Sequence, residues 1–215
     1  MAKKVIFKYR VCARFRLKAA SAPTAPLPGD RVTPSAPFET VGVDFAGPLM
    51  VRDGRELVKA YIALFMCAVT RAVHFELVSD LTARSFLMAF RRFATRRGLP
   101  KTVYSDNALT FKKESRDIEE LHKNISRRDV QDFVAVDRVK WKFIVEKAAW
   151  WGGWWERLVR TIKDSLRRVL GRQFLTVEEL MIVLHDAEAC INSRPLTYLH
   201  ALPDEPAALT PAHRD

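Results

Sequence analysis

Residues 58–69 read Val-Lys-Ala-Tyr-Ile-Ala-Leu-Phe-Met-Cys-Ala-Val, apolar throughout apart from one lysine. The run is too short for a membrane-spanning helix, which needs about 20 residues. It also lacks the polar alternation of a strand with one wet face. A strand covered on both faces satisfies it, and such a strand needs helices above and below its sheet.

The neighbouring patterns supply the rest. Val41, Val43 and Phe45 alternate with Gly42 and Asp44 until Gly47-Pro48 interrupts, which predicts a short first strand. Arg71 to Val78 reads as a third strand antiparallel to the second. Thr82 can cap a helix that carries Phe86, Leu87, Phe90, Phe93 and Ala94 on one side and Arg91, Arg92, Arg96 and Arg97 on the other, with Gly98 and Pro100 ending it. After this crossover, Thr102-Val103-Tyr104 is a fourth strand ending at Ser105-Asp106-Asn107. Residues 112–140 are charged and weakly periodic, reading as a helix and then an exposed insertion. Trp141 to Ile144 forms a short last strand. Trp155, Leu158, Val159, Ile162, Leu166, Val169 and Leu170 recur at helical spacing up to Gly171, and Thr176-Val177-Glu178-Glu179 is a capping box for a final helix ending before Pro195. The expected class is α/β, a mixed five-stranded sheet flanked by helices.

Residues 1–37 read as a basic arm and linker: the first 20 hold seven Lys/Arg and no acid, and prolines follow at 23, 26, 28, 34 and 37. The folded domain is expected over 38–200, with a tail over 201–215. The 36 Lys/Arg against 25 Asp/Glu give a net charge of +11, which draws the chain toward a polyanion. The three cysteines, Cys12, Cys67 and Cys190, lie far apart, so neither a disulfide framework nor a zinc knuckle is written here. No membrane association is expected.

Asp44 and Asp106 stand at the ends of apolar strands, where a bare carboxylate is costly if buried without a partner. Functional groups of α/β sheets gather beyond strand ends, so two acids from neighbouring strands can converge. Glu156 opens the next helix on this reading, and a first-turn acid is also explained by the helix dipole. Three carboxylates are the hard oxygen donors that Mg²⁺ or Mn²⁺ prefers, and two such ions ~3.5–4 Å apart serve phosphodiester chemistry.

Five segments carry a resemblance: Val41-Gly42-Val43-Asp44-Phe45-Ala46-Gly47-Pro48-Leu49, Cys67-Ala68-Val69-Thr70-Arg71-Ala72-Val73-His74, Tyr104-Ser105-Asp106-Asn107, Trp150-Trp151-Gly152-Gly153-Trp154-Trp155-Glu156-Arg157, and Ile191-Asn192-Ser193-Arg194-Pro195-Leu196-Thr197. In this order they resemble integrases of the BEL/Pao class of LTR retrotransposons, over roughly residues 30–214. The resemblance implies a ribonuclease H-like fold and a DDE-type polynucleotidyl transferase and endonuclease. Its catalytic and metal-binding triad maps to Asp44, Asp106 and Glu156, separated by 106 − 44 = 62 and 156 − 106 = 50 residues. Two Mg²⁺ or Mn²⁺ ions, double-stranded DNA as element ends and target, a homo-oligomer, and a place in the nucleus or in transit to it follow as expectations.

Glu156, Arg160, Lys163 and Arg167 are spaced by four, three and four, which puts three cations on the face of the acid. The resemblance assigns Arg160 and Lys163 to the element's DNA end, and Arg167 extends the row. Asn107 is a candidate phosphate contact or a turn residue. His74 reads as packed or exposed, and the tryptophans at 150, 151, 154 and 155 as core and loop wedges. Ala108 and Ala149 depart from the family's usual Gly and Pro. The N-terminal segment resembles the end of a zinc-binding domain, with Tyr9 in place of one Cys and Cys12 retained, so a truncated or domesticated copy is the expectation. Two other classes fit the same residues: a catalytically silent DNA-binding protein, and a nuclease acting on RNA/DNA hybrids.

Overall fold

The computed structural model describes residues 29–80, 82–105, 138–143, 149–171, 174–199 and 207–212, with backbone alone for residues 31, 149–157, 198, 199 and 207. The reading of 112–137 as a helix and insertion therefore lies outside the described residues. Five strands, β1 (Thr40–Asp53), β2 (Glu56–Cys67), β3 (Val73–Val78), β4 (Thr102–Ser105) and β5 (Lys140–Phe143), form one sheet in the order β3-β2-β1-β4-β5. β1, β2 and β3 are antiparallel in turn, whereas β4 runs parallel to β1 and β5 parallel to β4. The sheet is mixed and flanked by helices, as its sequence pattern requires.

β2 is the strand covered on both faces. Its Tyr61, Ala63, Phe65 and Cys67 pack on one face with Val41, Val43, Phe45 and the buried Phe86, Ala89, Phe90 and Phe93 of helix α2 (Ala83–Arg97). Ala60, Ile62, Leu64 and Met66 pack on the other, against Val159, Ile162, Leu166 and Leu170 of α3 (Ala149–Leu170) and Leu180 and Leu184 of α4 (Val177–Asn192). The first face is rich in rings, and Phe65 stacks on Phe93 with centroids 4.2 Å apart.

Local chemistry sets the boundaries. The Thr82 hydroxyl accepts from Ser85 N to begin α2, and Gly98 at φ 93° ends it. Thr176 and Glu179 form both bonds of the capping box that starts α4. Gly47-Pro48, expected to end β1, does not end it. The strand passes a register shift between Ala46 and Leu49 and continues to Asp53, where a two-residue turn enters β2. A bulge absorbs the proline's missing donor, and Gly47 is needed because a Cβ there would meet the Tyr61 ring at 2.9 Å.

A second correction concerns α3. It begins at Ala149, so the Trp-Trp-Gly-Gly segment expected to be a loop is helical. Two interior glycines cost about 1 kcal/mol each relative to alanine. Extending a helix whose later turns are fixed to the sheet outweighs that, because each further residue adds a hydrogen bond without a new nucleus.

The open edge of β3 is closed by side chains of α4. Asn192 Oδ1 accepts from Val73 N at 2.8 Å, Asn192 Nδ2 donates to Val73 O at 2.9 Å, and Glu188 Oε2 accepts from Phe75 N at 2.8 Å. Ahead of β1, a short helix α1 (Gly29–Val32) lies within the stretch read as an extended linker. Beyond α4, β6 (Thr197–Leu199) and β7 (Ala207–Leu209) pair antiparallel, joining residues on both sides of the expected boundary at 200.

Candidate functional site

Strand alternation decides where Asp44 points. Val41, Val43 and Phe45 enter the ring-rich core, which leaves Gly42, Asp44 and Ala46 on the α3 side of the sheet. Asp44 is 9% exposed there. Its Oδ1 accepts from Phe45 N at 2.6 Å, and its Oδ2 lies 3.2 Å from Lys163 Nζ. A lysine from the middle of α3 thus lies on a carboxylate in the central strand.

The parallel register brings the second acid's strand alongside. Val43 is the partner of Ser105, the last residue of β4. Ser105 is itself fixed, since it is 1% exposed and its Oγ accepts from Trp141 Nε1 at 2.8 Å. Asp106 and Asn107 follow in sequence and lie outside the described residues.

Glu156 is in α3, with its side chain outside the described atoms. Helix α3 starts at Ala149, so Glu156 is its eighth residue, 156 − 149 = 7 positions in. The expectation that it opens the helix is overturned, and with it the first-turn dipole explanation, because that effect fades beyond the first turn. Lys163 follows Glu156 by seven residues, nearly two full turns, so the two positions share one flank of the helix. Arg160 and Arg167 lie on that flank and are exposed, and Arg167 pairs with Asp164 at 3.4 Å. Of the residues singled out by sequence, Asp44 and Lys163 are brought into contact, and Arg160 and Arg167 are placed beside them facing solvent.

Sequence reading missed a second polar group on this face. The register aligns Gly42 with Tyr104 and Tyr104 with Lys142, all on the Asp44 side. Tyr104 Oη donates to Asp30 Oδ2 at 2.5 Å, and Lys142 Nζ lies 3.1 Å from the same oxygen and 3.0 Å from Tyr104 Oη. The Tyr104 hydrogen bond, reinforced by Lys142, holds the Asp30 carboxyl below its ordinary range. Its own hydrogen bond to Tyr104 Oη, with Asp30 behind it, holds the Lys142 ammonium above its ordinary range. Lys142 and Tyr104 could have been noticed from strand alternation. Asp30, 74 residues before Tyr104, carried no signal.

Neither a family model nor a curated protein matches the chain. Solved structures do. The chain is similar to the HTLV-2 integrase catalytic core domain in complex with magnesium, in its dimeric form, with a TM-score of 0.50 at 15% identity over 78% of this chain and 93% of that one. The trimeric form gives 0.50 at 15% over 77% and 91%. A chain of the simian T-cell lymphotropic virus intasome in complex with PP2A regulatory subunit B56 gamma gives 0.57 at 12%, over 98% of this chain and 64% of that one. At these identities the likeness is one of fold, and the fold is ribonuclease H-like.

Proposed function

We propose that this chain is an integrase core of the BEL/Pao retrotransposon type, in which Asp44, Asp106 and Glu156 hold divalent cations that act on DNA phosphodiester bonds. The observation that carries the reading is the Asp44–Lys163 contact. It joins a buried acid at the centre of the sheet to the flank of the helix that bears Glu156. The fold neighbours are an integrase core domain solved with magnesium in two forms and a chain of an intasome, which supports the same reading.

The residues present suit a hard divalent ion. Asp44 offers a carboxylate from a largely dry position, and its charge partner among the described residues is an ammonium, so cationic compensation is already built in. Bound Mg²⁺ or Mn²⁺ would supply Lewis acidity, favouring deprotonation of the attacking hydroxyl and stabilising the leaving oxygen. The protein's own part is positioning. Lys163 balances Asp44 and presents a cation where a phosphodiester would approach. Arg160 and Arg167 extend that charge along the exposed flank and would bind backbone phosphates with little base preference. Asn107 follows Asp106 in sequence and is assigned to the same contact. Double-stranded DNA ends and target, a homo-oligomer, and action in the nucleus belong to this reading.

The test is nicking of a duplex with a 3′ CA end in Mg²⁺ or Mn²⁺, for the parent and for Asp106→Asn. The parent should cut, and the variant should lose about 10³-fold or more, the effect of several kcal/mol of lost transition-state stabilisation. A variant as active as the parent would remove Asp106 from the site. DNA binding without cleavage in either metal would favour a silent binding protein, and cleavage of an RNA/DNA hybrid alone would favour a hybrid nuclease.

A further inference from the structure

Asp30, Tyr104 and Lys142 have no role in the chemistry above, yet they lie on the same face of the sheet as Asp44. Two donors from adjacent strands, a tyrosine hydroxyl and a lysine ammonium, converge on one carboxylate oxygen at 2.5 and 3.1 Å. Lys142 Nζ also lies 5.0 Å from the centroid of the Tyr104 ring, so its ammonium is held against the strand while its side chain stays 44% exposed. Such a pair of donors would serve a phosphate oxygen equally well. Asp44 is two residues beyond Gly42, the register partner of Tyr104. With about 3.3 Å per residue and about 4.8 Å between strands, Lys142 sits on the order of 10 Å from Asp44. A strand of DNA crossing the Asp44 site would reach it within a few nucleotides, each of which advances about 3.4 Å.

The present occupant is the chain's own carboxylate. Asp30 belongs to α1, outside the sheet, and its side chain is 41% exposed. An exposed ion pair of this kind is weak and easily exchanged. We propose that Lys142 and Tyr104 form a phosphate-binding subsite for the DNA backbone, and that Asp30 fills it in the free protein as an internal competitor. DNA then displaces Asp30, and α1 leaves the sheet face as the strand is seated. The inference rests on the reading of this face as a DNA-binding one.

Asp30→Asn isolates the effect, because the amide still accepts from Tyr104 while the competing charge is gone. In duplex-DNA titrations across salt, this variant should bind about 3- to 10-fold more tightly with the parent's salt slope, because the same phosphate contact forms in both once Asp30 has left. Lys142→Ala in the Asp30→Asn background should abolish the gain and flatten the slope by about 0.9 log units per log unit, one counterion fewer released. Thermal unfolding of each variant confirms that it is folded, and Lys163→Ala, run alongside, reports on the DNA-binding face without involving Asp30. Unchanged affinity in Asp30→Asn, with Lys163→Ala weakened, would overturn this inference alone. A gain that survives loss of Lys142 would overturn it as well. Absence of DNA binding by every protein, parent included, would overturn this inference and the function it rests on together.

Discussion

Two places in this sheet bury carboxylates, and they are furnished differently. At the β3 edge, Glu76 and Glu188 are 4% and 8% exposed and fully engaged: Arg92 Nε lies 2.6 Å from Glu76, His74 Nε2 lies 2.9 Å from it, Arg97 pairs with Glu188, and Glu188 also accepts from Phe75 N. At the centre, among the described residues, Asp44 has the backbone N–H of Phe45 and one lysine. The edge group is closed by arginines in fixed geometry, the partners that suit a permanent ion pair. The central acid is matched, among the described residues, to one compact ammonium on a four-carbon stem. Burial alone therefore does not mark function. The density of fixed partners around the acid separates the two.

Exchanging the two losses tests that separation most strongly. Glu188→Ala should cost about 3–5 kcal/mol, because it strips Arg97 and His74 of a buried carboxylate and leaves the Phe75 N–H without its acceptor. For a chain of this size that lowers Tm by roughly 10 °C or more, while the folded fraction cleaves as the parent does. Asp44→Asn should do the reverse, abolishing metal-dependent cleavage with a change in stability of no more than about 1 kcal/mol, since the amide can still accept from the neighbouring N–H. Calorimetry and nicking assays on the pair decide it. A Glu188→Ala protein as stable as the parent, or an Asp44→Asn protein that unfolds, would merge the two regions into one structural class.

The same contrast explains what the sequence could and could not disclose. Elements were legible where local chemistry sets them: the Thr82 and Thr176 caps, the Gly98 stop, and the apolar run that became β2. Asp44 was legible through its strand, and Lys163 through its seven-residue offset from Glu156. The partners were not. Glu188 and Asn192 close a strand edge more than 110 residues away in sequence, and which strand becomes an edge depends on the order of the whole sheet. Asp30 reaches Tyr104 for the same kind of reason. The helical start at Ala149 was hidden because two glycines and four tryptophans speak locally for a loop, and cooperative extension of α3 overrides them.

A smaller effect is expected at Lys163, which belongs to both the acid and the DNA in this reading. Lys163→Glu should weaken duplex binding and flatten the salt dependence by about one ion, as the loss of a single phosphate contact requires. The reversed charge also faces Asp44, so cleavage should fall further than binding does. Fluorescence titration over a salt series measures the slope. A slope equal to the parent's would take Lys163 out of the DNA contact and leave it as a partner of Asp44 only.

The smallest expected effect is a pH dependence confined to the edge group. His74 faces Glu76 on its own strand, Glu188 from α4 and Arg97 from α2, whose Nε lies 3.3 Å from Nδ1. Burial opposes the imidazolium, but the Glu188 and Glu76 carboxylates outweigh it and hold the pKa above the ordinary value of 6.5. For Glu76 and Glu188 burial again works against the charged form, and His74 with the arginines holds both below 4.5. A group raised on folding adds stability that is complete below its unfolded pKa and is lost as pH rises through the folded one. Groups lowered on folding lose theirs as pH falls below about 4.5 toward their folded values. Stability should therefore be greatest between these limits and decline on the alkaline side as His74 deprotonates, when Nδ1 turns from donating to Glu188 to accepting from Arg97. His74→Gln removes that titration, so its unfolding free energy should stay flat from pH 6 to 8.5 while the parent's falls. A parent curve that instead rises with pH over this range would show that the folded imidazole is already neutral, with Arg97 rather than the carboxylates governing the cluster.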